Sequence, residues 1–343
     1  MRHLLNTLYV TTQGSYLARE GEAVVVKQED EVRLRVPVHT LQSLVCFGRV
    51  SCSPPLMGLC TERNVLITFL TEHGKFLARV QGPVHGNVLL RRAQYRISDD
   101  GQARTAIARA VVSAKIANSR TVLMRAARER SEQAASAELE AAALKLARLL
   151  SDLEDVQELD RVRGVEGEAA QIYFSVLDHL ITTDKVHFYF SKRSRRPPLD
   201  NVNALLSFLY TLLVHDCVSA LETVGPDPAV GYLHCDRPGR PGLALDLMEE
   251  FRSFLADRLA ITLINRRQVD APGFHKTETG AVLMEDSTRK EILVAWQKRK
   301  QEEIQHPFLG ERIALGLVPY VQALLLARHL RGDLDGYPAF FWR

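Results

Sequence analysis

The sequence predicts an α+β, multi-domain chain: a small β-sandwich-like domain over residues 1–97, then a larger all-α domain over residues 105–343. Three observations carry this prediction. Short β-branched runs parted by glycine fill the amino-terminal part, apolar residues recur at helical spacing after about residue 103, and the polar stretch Ser98-Asp99-Asp100-Gly101-Gln102 lies between them. Residues 98–104 are therefore expected to form a linker.

In the first part, residues 7–11, 23–26, 32–36 and 65–70 read as strands, punctuated by Gly14, Gly21, Gly48 and Gly74, with one short helix over 56–63. In the second, Leu139, Ala142, Leu146, Leu149, Leu150 and Leu153 recur at helical spacing. Further helices are expected near 103–130, 165–182, 199–222, 242–264, 284–305 and 311–331. Two loops interrupt them. Residues 192–196 hold four cations and run into Pro197-Pro198, and residues 270–280 read as an extended or hairpin excursion.

A chain of 343 residues is long enough to bury two cores, and 46% hydrophobic with 25% charged residues is ordinary for a globular protein. The net charge of +3 and pI ≈ 8.6 do not by themselves mark a nucleic-acid binder. The cations are bunched, however: at 192–196, along Arg104, Arg109, Lys115, Arg120, Arg125, Arg128 and Arg130, and at Lys298-Arg299-Lys300. No run approaches the ~20 apolar residues of a membrane span, and no secretory leader is evident. Cys46, Cys52 and Cys60 are too unevenly spaced for a zinc motif, and the odd total of five fits a reducing, cytoplasmic setting.

The chemistry concentrates in Glu166, His234, Asp246 and Glu249. Asp246 and Glu249 are three apart, which on a helix puts both carboxylates on one face. His234 lies in a Gly/Pro-rich loop that could fold back on that helix, and Glu166 could bring in a third carboxylate. Two or three carboxylates with one imidazole suit Mg²⁺ or Mn²⁺ beside a phosphodiester. Each residue also has a plainer reading: Glu166 as a first-turn acid, His234 as a turn residue, and the Asp246–Glu249 pair as a solvated face. Lys192, Arg193, Arg195 and Arg196, with Asn203 and Arg240, are the candidates for contact with a DNA backbone, and Tyr189 and Phe190 for stacking on bases.

At these residues the chain resembles a known family. Gly164-Val165-Glu166-Gly167 with Ala169-Ala170 and Tyr173-Phe174 looks like the first metal-glutamate motif of the CRISPR-associated adaptation integrases. Similar too are residues 195–210, Gly231-Tyr232-Leu233-His234, Leu245 to Arg252, and, in the first part, residues 82–95. The flavour is that of the subtype C branch of type I systems.

The resemblance spans nearly the whole chain and implies a β domain that dimerises and a helical catalytic domain. It further implies a heterohexamer of two dimers with a small ferredoxin-like adaptation protein. The implied activity is metal-dependent DNA cleavage and integration, in which the 3′-hydroxyl of a short foreign fragment attacks a repeat array. Carried over by motif, Glu166, His234 and Glu249 match the metal ligands and Asp246 the neighbouring acid. Many relatives carry aspartate where this chain has Glu249, and Glu250 stands beside it; the three-residue step from Asp246 favours Glu249. The alternatives are a non-catalytic DNA-binding scaffold and a metallohydrolase of a small substrate.

Overall fold

A computed structural model describes residues 7–342, except 30, 73, 75, 81, 83–86 and 130–133. Residues 83–86 of the 82–95 motif, and Arg130, therefore lie outside the described residues. The chain divides into two compact units, Met1–Gly86 with Ile292–Glu302, and Asn87–Glu291 with Glu303–Arg343.

The amino-terminal unit holds β1 (Thr7–Val10), β2 (Tyr16–Glu20), β3 (Ala23–Gln28), β4 (Glu31–Pro37), β5 (Ser43–Phe47), β6 (Ser51–Cys52), α1 (Pro54–Glu62), β7 (Leu66–Leu70) and β8 (Phe76–Val80). They form two four-stranded sheets, in the orders β1-β5-β7-β8 and β4-β3-β2-β6. One sheet pairs β1, β5 and β7 in parallel and β8 antiparallel; the other is antiparallel except where β2 meets β6. Inward residues of both sheets, among them Leu17, Val24, Leu44, Cys46 and Ile67, share one core with Leu56, Leu59 and Cys60 of α1. Alternation along each strand supplies that face. The start of α1 follows its residues: the Ser53 hydroxyl accepts from the Leu56 amide at 3.3 Å, and Pro54 fills the first helical position.

The second unit begins with α2 (Val88–Asp99), in a region where the sequence suggests β structure. Its helical spacing is masked because Val88 and Leu89, the apolar pair at its start, are exposed, whereas the buried face includes Gln94 and Ser98. The linker expected at 98–104 is instead the junction of α2 with α3 (Gly101–Glu129), where Asp100 caps the second helix by accepting from the Gln102 and Ala103 amides at 2.9 Å. The break between units falls earlier, at residues 86/87.

There follow α4 (Ala134–Leu153), α5 (Leu159–Ser175), α6 (Asn201–Val224), α7 (Gly242–Glu249), α8 (Arg258–Asn265), β9 (Phe274–Lys276), β10 (Val282–Met284), α9 (Asp286–Gln301, which from Ile292 onward belongs to the first unit), β11 (Glu303–Gln305), β12 (Arg312–Ala314) and α10 (Val318–Leu330). Leu139, Ala142, Leu146, Leu149 and Leu153 are buried, as the spacing demands, and Leu150 at the edge of that face is half-buried. This unit is not all-helical: β9–β10 and β11–β12 are antiparallel hairpins. The first lies where a hairpin excursion is expected; the second takes the end of the helix expected over 284–305 and the start of the one expected over 311–331. The helix expected over 242–264 is likewise broken, because Arg252–Asp257 is π-helical between α7 and α8. Such turns recur at functional sites. Helix α6 is long and apolar enough to span a membrane by composition, yet 72% of its most apolar window is buried in this unit, as befits a core helix.

Candidate active site

The loop carrying His234 is fixed from every side. Gly231 and Gly242 approach so closely that a Cβ on Gly231 would lie 2.7 Å from the Gly242 carbonyl carbon and 2.8 Å from Asp246 Oδ2. Only glycine permits this contact, and it brings three successive amides onto one carboxylate. Asp246 accepts from the amides of Tyr232 (2.6 Å), Leu233 (3.0 Å) and His234 (3.0 Å), and from His234 Nδ1 at 2.6 Å. Arg104 of α3 and Arg163 of α5 donate to the carbonyls of Tyr232 and Leu233, both at 2.9 Å. Upstream, the fully buried Gln94 of α2 holds Asp227 and Val230 by three further bonds.

Asp246 is thus consumed in positioning. A carboxylate only accepts, so Nδ1 of His234 is the donor, and the neutral tautomer this selects leaves Nε2 with a free lone pair.

Two helices supply the other acids. Glu166 sits in the interior of α5, which starts at Leu159, so the first-turn reading of this residue does not hold. Its Oε1 pairs with Nζ of Lys115 on α3, and the same ammonium lies 2.7 Å from Glu249 Oε2. The two carboxylates are therefore within roughly 6 Å of each other, twice a normal N···O separation. Glu249 Oε1 is 2.9 Å from Arg252, one step further along the 246–249–252 face. Burial alone would raise the Glu249 pKa, but Arg252, Lys115 and His234 outweigh it and bring it down to about 2.

Glu250 faces away. It accepts from Tyr337 Oη (2.5 Å), the Phe340 amide (2.7 Å) and Gln322 Nε2 (3.0 Å), and burial pushes its pKa up to about 7. Of the two adjacent glutamates, Glu249 is the one paired with Lys115.

Among the described residues no three acidic, histidine or cysteine groups already form a ligand cluster. The reason is visible: Lys115 stands between Glu166 and Glu249. Glu249 Oε2 is buried and has that ion pair but no aligned hydrogen bond. Two carboxylate oxygens brought together by one cation, with His234 close enough to Glu249 to interact electrostatically with it, fit a hard divalent ion. Lys115, which in the sequence is only one of the cations bunched along the first long helical stretch, and Arg252 are not among the candidate site residues that the sequence marks. The second had a signal in its three-residue step from Glu249; the first had none.

The basic loop divides. Lys192, Arg195 and Arg196 are exposed. Arg193 turns inward, donating to Asn203 Oδ1 at 2.6 Å and Ser207 Oγ at 3.0 Å and lying over Tyr210. Asn203 is fully buried; it also accepts from the Ser194 amide and donates to the Lys192 carbonyl and Asp200. Arg193 and Asn203 are thus withdrawn as DNA contacts, because both are used up shaping the loop. Arg240 is half-buried. Phe190 stacks on Phe174 in the core, whereas Tyr189 is exposed.

The family profile described as CRISPR associated protein Cas1 matches residues 8–298. Over the full length of both chains, the sequence is 54% identical to CRISPR-associated endonuclease Cas1 1 of Chlorobaculum tepidum. It is 53% identical to CRISPR-associated endonuclease Cas1 2 of Rhodospirillum rubrum, again over all of both chains. A CAS1 protein from Thermotoga maritima shares the fold, with a TM-score of 0.81 at 22% identity over 98% of this chain and 100% of that one. So does a casposase solved bound to its integration product, with a TM-score of 0.84 at 22% identity over 98% and 94%. With a matched profile over most of its length and relatives above half identical end to end, this chain belongs to the Cas1 family of CRISPR-associated proteins.

Proposed function

We propose that the chain is the DNA endonuclease and integrase of CRISPR adaptation, acting with Mg²⁺ or Mn²⁺ held by Glu166, His234 and Glu249. The observation that carries this reading is the convergence of Glu166 and Glu249 on Lys115, next to a histidine whose Nε2 is left free by Asp246. Membership of a family whose curated relatives are named endonucleases supports it, and so does the likeness to a casposase bound to its integration product.

A divalent ion bound there would polarise a phosphodiester and stabilise the charge that builds on its oxygens. The protein's own part is positional. Asp246 and the arginines on the 232–233 carbonyls hold the imidazole, and Arg252 holds one oxygen of Glu249 while the other stays turned to the cluster. No side chain is assigned as nucleophile: the 3′-hydroxyl of a captured fragment attacks during integration, and water during cleavage. Lys192, Arg195 and Arg196 hold the DNA backbone without reading bases.

In the same reading the chain forms a homodimer through its amino-terminal unit, and two dimers join a small ferredoxin-like adaptation protein in a heterohexamer. Two structures solved as Cas6-RT-Cas1--Cas2 complexes contain chains of like fold, at 22% and 23% identity. The subtype C branch of type I systems is part of the proposal. Strand transfer into a supercoiled plasmid carrying the repeat, with partner present and Mg²⁺ or Mn²⁺ titrated, tests it. His234→Ala should abolish product while leaving DNA binding intact; wild-type activity in that variant, or in EDTA, would refute it.

A further inference from the structure

We propose that Lys115 is a two-position cation: its ammonium holds Glu166 and Glu249 together in the metal-free protein, then moves to Asp257 Oδ2 and Ser253 Oγ when a divalent ion takes its place. The inference rests on the metal reading above and adds to it a mechanism of exchange.

The first position is the double ion pair on α3, where Lys115 is buried between the two glutamates. The second is a small cavity of about 20 Å³, room for one ammonium-sized group, whose walls include Lys115 itself, Ser119, Tyr173, Arg252, Ser253 and Asp257. Ser253 and Asp257 are 3% and 1% exposed; Ser253 Oγ has no hydrogen-bond partner, and Asp257 Oδ2 has no donor beyond the unaligned hydroxyl of Tyr173 in the same cavity wall. The other Asp257 oxygen accepts from Tyr210 at 2.6 Å. Buried acceptors left without donors are costly and need a reason. Here the reason is geometric. The π-helical turn of Arg252–Asp257 sets both residues in the wall of a cavity that the lysine already lines.

Charge explains why the lysine must travel. An ammonium left beside an arriving dication would repel it, and one expelled to water would leave Asp257 as it was. Moving within the cavity, Lys115 vacates Glu166 Oε1 and Glu249 Oε2 and gains a carboxylate, while Arg252 keeps its hold on Glu249 Oε1. Lysine suits this, being a compact charge on a flexible four-carbon stem.

Mn²⁺ titration calorimetry on the full chain, with Tm measured in chelator and in Mn²⁺, tests the exchange. Lys115→Met should melt lower in chelator yet bind Mn²⁺ about tenfold tighter or more, since a unit charge at contact distance no longer has to leave. Asp257→Asn should weaken Mn²⁺ binding about threefold or more when Lys115 is present, and change it little in the Lys115→Met background, the non-additivity expected of coupled sites. Lys115→Gln and Ser253→Ala repeat the comparison with milder changes should a parent variant not fold. Unchanged or weaker Mn²⁺ binding in Lys115→Met, or an Asp257→Asn effect equal in both backgrounds, overturns the exchange alone. A wild-type chain that takes up no Mn²⁺ instead refutes the metal reading on which it rests.

Discussion

Asp246 accepts the His234 ring N–H at 2.6 Å and the backbone N–H of the same residue at 3.0 Å, so one carboxylate sets both the position and the tautomer of the imidazole. Two more amides complete its shell. Although it lies on the same short helix as Glu249, its hydrogen bonds all go to the histidine and the loop that carries it.

Asp246→Asn follows from this directly. An amide can replace one acceptor but turns an NH₂ toward amides that also donate. Mn²⁺ affinity should fall about 10–100-fold, the usual cost of losing the partner of a ligating histidine. Stability should drop by roughly 1–3 kcal/mol for the unsatisfied donors. Calorimetry and urea unfolding measure the two effects separately.

Gly231→Ala tests the loop that makes this contact possible. The added methyl would press on the Gly242 backbone and on Asp246 itself. Metal binding should fall as in Asp246→Asn, while circular dichroism reports unchanged helix content. An unaltered affinity would show that the close approach of the two glycines is not what delivers His234.

Glu250 makes a pH prediction. Its pKa is raised to about 7 in the fold, from an ordinary value of 4.5. The folded state then binds the extra proton between these values, so the contribution of this group is full below about pH 4.5 and is lost as pH rises through 7. The stability difference between wild type and Glu250→Gln should therefore shift by about 3 kcal/mol against the wild type over that window, at 1.36 kcal/mol per pKa unit. Urea unfolding at pH 4.5, 6 and 8 reads it.

The basic loop yields a contrast within five residues. Arg195→Ala and Arg196→Ala should each lower the salt dependence of DNA binding by about 0.9 in log–log slope and leave stability alone. Arg193→Ala and Asn203→Ala should do the reverse, costing roughly 1–3 kcal/mol of stability through lost buried bonds. Filter binding across a salt series separates the two classes.

Much of this was legible in the sequence, and the limits have physical causes. Helices α3, α4 and α6 announce themselves because their buried faces are apolar and long. Helix α2 does not, because its start shows valine and leucine to solvent and buries glutamine. The π-helical turn after α7 leaves no mark, since its composition equals that of an α-helix. At the site, the 246–249 step and the Gly/Pro-rich loop name the acids and the histidine, and a step of three extends naturally to Arg252. Lys115 is invisible: a lone lysine amid arginines on a 29-residue helix reads as surface, and only tertiary packing shows it between two glutamates. Arg193 misleads for the opposite reason, since a run of cations gives no hint of which one turns inward.

The most direct measurement is anomalous diffraction at the manganese edge from crystals of the wild-type chain grown with Mn²⁺. The account predicts a single peak bounded by Glu166, Glu249 and His234 Nε2, at roughly 2.0–2.3 Å from each, the range for small divalent ions. A peak elsewhere, or ligation by Asp246 in place of His234, would contradict it.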